Sequence, residues 1–249
     1  MSAARFAGQT VIVTGAGSGI GKATAVRVAA EGGRVVAADV VADRLDELKA
    51  EHPSLDIVTV AGDIRQDDDI AKIVAAADGP VQGLANVAGV MDSFQPAHEI
   101  DWQQWDFVLA VNLTATAKLM AAVLPGMLEA GTGSIVNVAS EAGLRGSAAG
   151  AAYTASKHAV IGLSKNSAVM YGKKGIRVNV VAPGAVATNI QAEFKSALAG
   201  EVLGPFMQVV VPGVAQPEQL AASIAWLLSD DSTNVTGAVL ANDGGWSAV

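Results

Sequence analysis

The stretch Thr10-Val11-Ile12-Val13-Thr14-Gly15-Ala16-Gly17-Ser18-Gly19-Ile20-Gly21 runs from a β-branched segment through a glycine-rich turn into an alanine-rich segment with apolar positions at helical spacing. Three physical needs meet in such a turn: a sharp reversal, close approach of backbone to a pyrophosphate, and close packing of helix on strand. Each favours a missing Cβ. Free N–H groups and the positive end of the helix then face the phosphates. The general dinucleotide pattern G-x-G-x-x-G does not fit from Gly15, because the residue three after Gly17 is Ile20; the spacing T-G-x-x-x-G-x-G does. A glycine loop alone is weak evidence, since it also serves as a plain entry to a helix. Its place between a strand and a helix gives it weight.

Outward from that turn, short β-branched runs alternate with longer alanine-rich segments, the pattern of a parallel sheet covered by helices on both faces. The runs Thr10–Thr14, Arg34–Asp39, Asp56–Ala61, Gln82–Asn86, Ser134–Ala139, Arg177–Ala182 and Ala238–Ala241 read as buried strands. The segments Ile20–Ala30, Ala42–Glu51, Asp67–Ala77, Trp102–Ala130, Ala152–Gly172 and Pro217–Leu228 read as helices between them. No repeat, low-complexity tract or linker interrupts the alternation, so residues 1–249 are expected to form one α/β domain, a doubly wound Rossmann-type parallel sheet of seven strands. The connection 189–216 is too long for an ordinary βα loop. Phe194, Leu198, Val202, Leu203, Phe206 and Met207 give it an apolar side, as a lid over a largely hydrophobic substrate would have; a permanently packed surface helix would show the same side.

Composition narrows the partners. The chain is 51% hydrophobic with a formal charge of −8, which disfavours a nucleic-acid partner and favours a small molecule. There is no cysteine, which removes disulfides, thiolate metal sites and a cysteine nucleophile. Met1–Gly8 has no signal-peptide pattern, and no run of about 18 uninterrupted apolar residues marks a membrane span, so a cytoplasmic protein is expected. His52, His98 and His158 are scattered, and no metal site is expected.

Asp39 ends the second strand, where a carboxylate can accept hydrogen bonds from the adenosine ribose hydroxyls. A helix cap or loop aspartate would occupy the same place. Asp63 ends the third strand and is a weaker candidate for the adenine edge; Asp67 close by allows a purely local role in the loop.

Later motifs make the pattern specific: Asn86-Val87-Ala88-Gly89, Asn112, Asn137-Val138-Ala139-Ser140, Tyr153-x-x-x-Lys157 and Pro183-Gly184-Ala185-Val186-Ala187-Thr188. With the T-G-x-x-x-G-x-G loop, and in this order, they resemble the short-chain dehydrogenase/reductase family along nearly the whole chain. The resemblance implies that Gly15, Ser18, Gly19, Ile20 and Gly21 hold the diphosphate. It implies that Asp39, Asp63, Ile64, Asn86, Ala88 and Gly89 hold the adenosine side. Pro183, Gly184, the Val186 amide and Thr188 would meet the nicotinamide end, and Tyr153 and Lys157 its ribose. The second place of the Asn-Asn pattern holds Val87 here.

The spacing also carries chemistry. Residues four apart share a helix face, so Tyr153 and Lys157 point the same way. A free tyrosine has a pKa of about 10, and a nearby ammonium is expected to lower it, making the phenol usable as general acid in reduction and general base in oxidation. By resemblance, Lys157 also holds the nicotinamide ribose and Ser140 positions the substrate oxygen. Asn112 would interrupt its helix to hold a water that links the lysine to solvent. Glu141 and Arg145 follow Ser140 as candidates for the pocket rim or, equally, as ordinary loop charges, while Trp102 and Trp105 read as core anchors in preference to stacking platforms.

The expected reaction is reversible hydride transfer between a secondary alcohol and its ketone with NAD(H). A 3-oxoacyl thioester reductase would share every motif, a dinucleotide-binding redox sensor would lack turnover, and a nucleotide-sugar epimerase would need a larger C-terminal part. NAD is favoured over NADP because Asp39 would face a 2′-phosphate, while Ala16, Ser18 and Val40 are not cationic and Arg44 sits behind Asp43. The family resemblance implies a homotetramer.

Overall fold

The computed structural model describes residues 4–190 and 193–248. Seven parallel strands, β1 (Thr10–Thr14), β2 (Arg34–Asp39), β3 (Ile57–Ala61), β4 (Gly83–Asn86), β5 (Gly133–Val138), β6 (Ile176–Pro183) and β7 (Val239–Asn242), form one sheet in the order β3-β2-β1-β4-β5-β6-β7. Successive residues of β1 point to opposite faces, so Val11 and Val13 enter one core and Ile12 the other. The first core is closed by helices α1 (Gly19–Ala30), α2 (Ala42–Glu51) and α8 (Pro217–Leu228). The second is closed by α3 (Asp67–Ala75), α5 (Ala115–Ala130) and α6 (Ala151–Tyr171). The five inner strands thus bury both faces, which explains runs that are apolar throughout instead of alternating, while the edge strands β3 and β7 stay partly exposed.

The order reverses at β1, whose neighbours are β2 and β4. The connections leaving the carboxyl ends of β1 and β4 diverge there and open a crevice. Gly15, just after β1, passes so close to the turn after β4 that a Cβ on it would lie 2.9 Å from the Ala88 Cα.

The expected helix Trp102–Ala130 is broken. It begins as α4 (Trp102–Leu109), widens into one π-type turn over Ala110–Thr114, and resumes as α5. By length and composition this run would suffice to cross a membrane, but half of its most apolar window is buried, with Leu119, Met120, Val123 and Met127 in the core. The long connection contains a helix of its own, α7 (Ala197–Val210), which the sequence reading left unassigned. Gln191 and Ala192 of the expected lid lie outside the described residues. Trp102 is 66% exposed and packs edge-on against Trp105 at 5.9 Å between centroids, so it is not the core anchor expected.

Candidate active site

The crevice has a volume of about 510 Å³. One wall is the glycine loop and the first turn of α1. Gly15 (φ +66°) and Gly19 (φ +51°) occupy the left-handed region that side chains resist, and a Cβ on Gly21 would fall 2.1 Å from the Gly15 carbonyl oxygen. The first turn of α1 holds no acidic residue, and its N-cap Ser18 makes no side-chain cap bond, so its amides remain available to an anion. Ser18, Gly19, Ile20 and Gly21 all line the crevice. Thr188 closes over the loop, 2.9 Å from where a Gly19 Cβ would be.

Asp39 stands at the far end, buried, and its Oδ2 accepts from the Gly17 amide at 2.9 Å and its Oδ1 from the Val41 amide at 3.0 Å. A carboxylate oxygen accepts more than one hydrogen bond, so the side chain shapes the loop and still has acceptor capacity at the crevice wall. Arg44 is on the same wall and packs beside Gly17, where a Cβ would meet the Arg44 Cβ at 2.8 Å. This corrects the sequence reading that set it behind Asp43: the first turn of α2 directs Arg44 inward and leaves Asp43 exposed. Asp63 and Ile64 line the crevice too, but the Asp63 carboxylate is held by Arg65 at 2.6 Å, and these hydrogen bonds keep it below the usual carboxylate range. Its backbone amide donates to Asp69, not Asp67; Asp67 pairs with Lys118. Arg65 also lies 5.1 Å from the centre of the Phe107 ring, and both line the crevice.

The middle of the crevice is framed by Val87, Ala88 and Gly89. Thr14 Oγ1 accepts from the amides of Val87 and Ala88 at 3.1 and 3.2 Å, tying the two strand ends together. Asn86 donates to Asn137 at 2.8 Å beneath them, which is a structural tie and not a crevice contact. Pro183 and Gly184 are likewise outside the crevice lining; a Cβ on Gly184 would meet the Asp243 Cα at 3.0 Å. In the bridge between Val186 and Ala215 the donors are Ala187 and Ala215, so the Val186 amide stays outside it.

Beyond Gly89 lies the cluster of Ser140, Tyr153 and Lys157. A Cβ there would stand 3.3 Å from Asn112 Oδ1 and 3.4 Å from Lys157 Nζ, so the missing side chain is where the crevice meets the lysine. Ser140, two residues past β5, accepts from the Ala142 amide at 3.1 Å, and its side chain stands beside that of Tyr153, on α6. Lys157, one turn further and 3% exposed, donates to the Val138 carbonyl at 2.9 Å, with its ammonium 5.4 Å from the tyrosine ring centre. Burial pushes the lysine down to about 8. Burial likewise pushes the Tyr153 phenol up to about 12, opposed by the Ser140 hydrogen bond and reinforced by the Asp92 charge. The expected lowering of the phenol by Lys157 is therefore not a property of this chain alone. The ammonium points at a backbone carbonyl, and desolvation outweighs its attraction for a phenolate.

Asn112 lies in the π-type turn and is fixed on three sides. Its Oδ1 accepts from the Val90 amide at 2.8 Å, while its Nδ2 donates to the Val90 carbonyl at 3.0 Å and to Ser156 Oγ at 3.1 Å. Its backbone carbonyl accepts the Thr116 hydroxyl at 2.9 Å. The side chain thus stitches α4–α5 to the turn after β4 and to α6.

Around Tyr153 the walls are apolar: Ala142, Ala148, Ala149 and Trp246, with Met91, Val210 and Val211 packed against them. Glu141 is buried, pushed above its usual range by desolvation and paired with Arg145 at 2.7 Å. Arg145 in turn donates to the Ser247 carbonyl, so this pair anchors the C-terminal turn beside the site. No motif flagged Arg44, Arg65, Asp92 or Trp246; their roles follow from the fold. Among the described residues no group of three or more His, Asp or Glu side chains is arranged to hold a metal ion.

The profile of the family described as short chain dehydrogenase matches residues 9–199. Levodione reductase of Leifsonia aquatica is 36% identical, over 98% of this chain and 96% of that protein. A solved levodione reductase structure, 35% identical, gives a TM-score of 0.89 over 98% of this chain and all of that one. A short-chain dehydrogenase from Mycobacterium paratuberculosis bound to NAD, 33% identical, gives 0.88 over 98% of this chain and 100% of its own. A structure from Beutenbergia cavernae, provisionally named an NAD(P)-dependent gluconate 5-dehydrogenase and holding NADP at low occupancy, is 35% identical with a TM-score of 0.85 over 99% of each chain. With its seven-stranded parallel sheet, its glycine loop and its Ser140–Tyr153–Lys157 cluster, the chain belongs to the short-chain dehydrogenase/reductase family of oxidoreductases.

Proposed function

We propose that this protein carries out reversible NAD(H)-dependent hydride transfer between a largely hydrophobic secondary alcohol and its ketone. The observation that carries the reading is the phenol of Tyr153, buried beside Ser140 and set among apolar side chains that include Met91 of the crevice lining. The crevice suits a dinucleotide: glycines where a Cβ would collide, a helix start free of acidic residues, and an acceptor at the end assigned to the ribose. When bound, the cofactor supplies the hydride acceptor or donor and, in its oxidised form, a positive charge.

In this reading Ser140 and Tyr153 bind the substrate oxygen together. Ser140 orients it, and Tyr153 gives it a proton in reduction and removes one in oxidation. Lys157 holds the nicotinamide ribose and, together with the positive charge of the oxidised cofactor, opposes the desolvation that keeps the phenol protonated. Asn112 fixes the turn that carries Gly89 beside Lys157. Asp39 accepts from the ribose hydroxyls. It disfavours a 2′-phosphate; Arg44 stands on the same wall, and of two solved relatives one holds NAD and the other NADP. The helix α7 brings Val210, and Val211 just after it, to the substrate side and acts as its lid. Val169 and Met170 on α6, and Trp102 and Phe107 on α4, expose apolar surface that fits burial in a homo-oligomer.

The test is turnover of cyclic ketones and diols, aliphatic ketones, sugars and 3-oxoacyl thioesters with NADH or NADPH, followed by nicotinamide absorbance. The reading expects NADH-linked turnover of apolar cyclic or aliphatic ketones. Tight NADH binding without turnover of any of them would favour a redox sensor, and preference for thioesters would reassign the substrate.

A further inference from the structure

The loop after β4 holds a buried carboxylate that the proposed chemistry does not use. Asp92 is 4% exposed and its two oxygens accept from three backbone amides. Oδ1 takes Phe94 N–H at 3.1 Å and Gly150 N–H at 3.0 Å, and Oδ2 takes Tyr153 N–H at 2.8 Å. Gly150 and Tyr153 are the N-cap and third residue of α6, so the carboxylate caps the helix that carries the reacting phenol. The fit is close: a Cβ on Gly150 would come within 2.7 Å of Asp92 Oδ2 and 2.6 Å of the Gln95 amide. The loop accepts an unfavourable backbone to make this contact, with Phe94 at φ +58°.

We propose that Asp92 is a positioning residue for the acid/base step: its carboxylate fixes the first turn of α6, on which Tyr153 stands, and sets a negative charge beside the phenol. The proposal rests on the reading of Tyr153 as acid/base. Two observations support it. The Asp92 charge acts on Tyr153 in the direction that retains the phenolic proton, adding to burial and opposing the Ser140 hydrogen bond. The same loop also reaches the lid, since the Phe94 ring stacks on Phe194 at 4.0 Å and the Ser93 carbonyl accepts from the Lys195 amide at 3.2 Å. A displacement of the segment leading into α7 therefore reaches the start of α6 through three residues.

Few other charges face this pair. Lys157 lies one turn along α6, its ammonium 5.4 Å from the phenol ring centre. From the turn after Ser140 come Glu141 and Arg145, paired with each other, and Asp243 of the C-terminal turn acts on Glu141. At the start of α4, Asp101 lines a small cleft with Asp92, but its Oδ1 is engaged by the Gln103 and Gln104 amides. Asp92 is thus the carboxylate bonded directly to the backbone of Tyr153.

The chain has two tyrosines, Tyr153 and Tyr171, so ionisation of the first can be read alone in a Tyr171→Phe background. Tyrosinate absorbance after a rapid pH jump, with circular dichroism to confirm that the chain is still folded, compares Asp92 with Asp92→Asn. The proposal expects the midpoint to fall by at least about half a pH unit in the variant, because a charge close to the phenol is lost. NADH fluorescence should show binding within about threefold of the parent, because the substitution leaves the crevice lining intact. An unmoved midpoint in a folded variant would reduce Asp92 to a helix cap and overturn the proposal. If Asp92→Asn does not fold, Asp92→Ser is read the same way, and if neither yields a protein that binds NADH, the residue is a folding determinant and its role in the chemical step is withdrawn. The titration needs no turnover, so it stays separate from the acid/base reading, which falls if Tyr153→Phe remains active.

Discussion

Replacing Asp39 by Ala should change two quantities at once, and the structure separates them. The side chain accepts from the Gly17 amide in a buried bond and from the Val41 amide in a partly buried bond on an exposed residue. Water can take over the second bond. The first leaves a buried donor without a partner, a cost of about 1–3 kcal/mol. For a domain of this size each kcal/mol moves Tm by about 2–4 °C, so the apo variant should melt roughly 2–12 °C lower. Cofactor choice responds separately. A 2′-phosphate brought against a buried carboxylate is repelled and desolvated, and we expect kcat/KM for the intact protein to favour NAD by about a hundredfold, or about 2.7 kcal/mol. Removing the carboxylate takes away the ribose acceptor and the repulsion together, and leaves Arg44 on the wall as a cation that can approach the phosphate. The ratio should then drop below about tenfold, without the added Val40→Arg that the sequence alone would have called for. Differential scanning fluorimetry of the apo protein and initial rates with NADH and NADPH test both parts. A preference unchanged in Asp39→Ala would show that the side chain does not read the ribose. An unchanged Tm would show that its bond to Gly17 contributes nothing.

Two further outcomes follow from burial and from α7. Lys157 is held near 8, below its ordinary 10.5, so between those values the unfolded chain binds more protons than the folded one and folding stability rises with pH. Urea unfolding at pH 7, 8, 9 and 10 should show that rise in the parent and a flatter profile in Lys157→Met; parallel profiles would mean that the amine is not desolvated. If α7 is a lid, proteolysis within 193–216 should slow when NADH and a substrate are both present, and identical cleavage with and without them would assign a permanently packed helix.

The sheet was legible in the sequence because its inner strands are buried on both faces and its strands are punctuated by glycine and polar turns. All seven strands lie within a residue of where hydrophobic runs placed them, and α2 and α8 have the expected bounds. The interruption at Asn112 was implied by the family resemblance and not by the hydrophobic pattern, because Val108, Val111, Leu113 and Leu119 continue an apolar run whose spacing is that of one helix. The widening shows only when Asn112 bonds both backbone groups of Val90, a contact across 22 residues. Helix α7 was obscured by Gly200, Gly204 and Pro205, which read as breakers, although the proline is accommodated inside the helix. Ser140, Tyr153, Lys157 and Asn112 were recognisable as a set, and the fold gathers them behind Gly89, which lines the crevice, though none of the four is itself in the lining. Asp92 carries no motif, since its importance lies in three backbone amides that only the folded loop presents. The direction of the Tyr153 shift was misjudged for the chain alone, because spacing shows that a lysine is near but not that its ammonium is turned to the Val138 carbonyl.

The central claim is that Tyr153 exchanges the proton with the substrate oxygen. Its most direct test is Tyr153→Phe, which removes one oxygen atom and keeps the ring within its apolar surroundings. Turnover of the best ketone found by screening, with NADH, should fall at least about a hundredfold in kcat, while NADH affinity measured by fluorescence stays within about threefold of the parent. A Tyr153→Phe protein that keeps about a tenth or more of the parent's kcat would remove the tyrosine from the acid/base role and contradict the account.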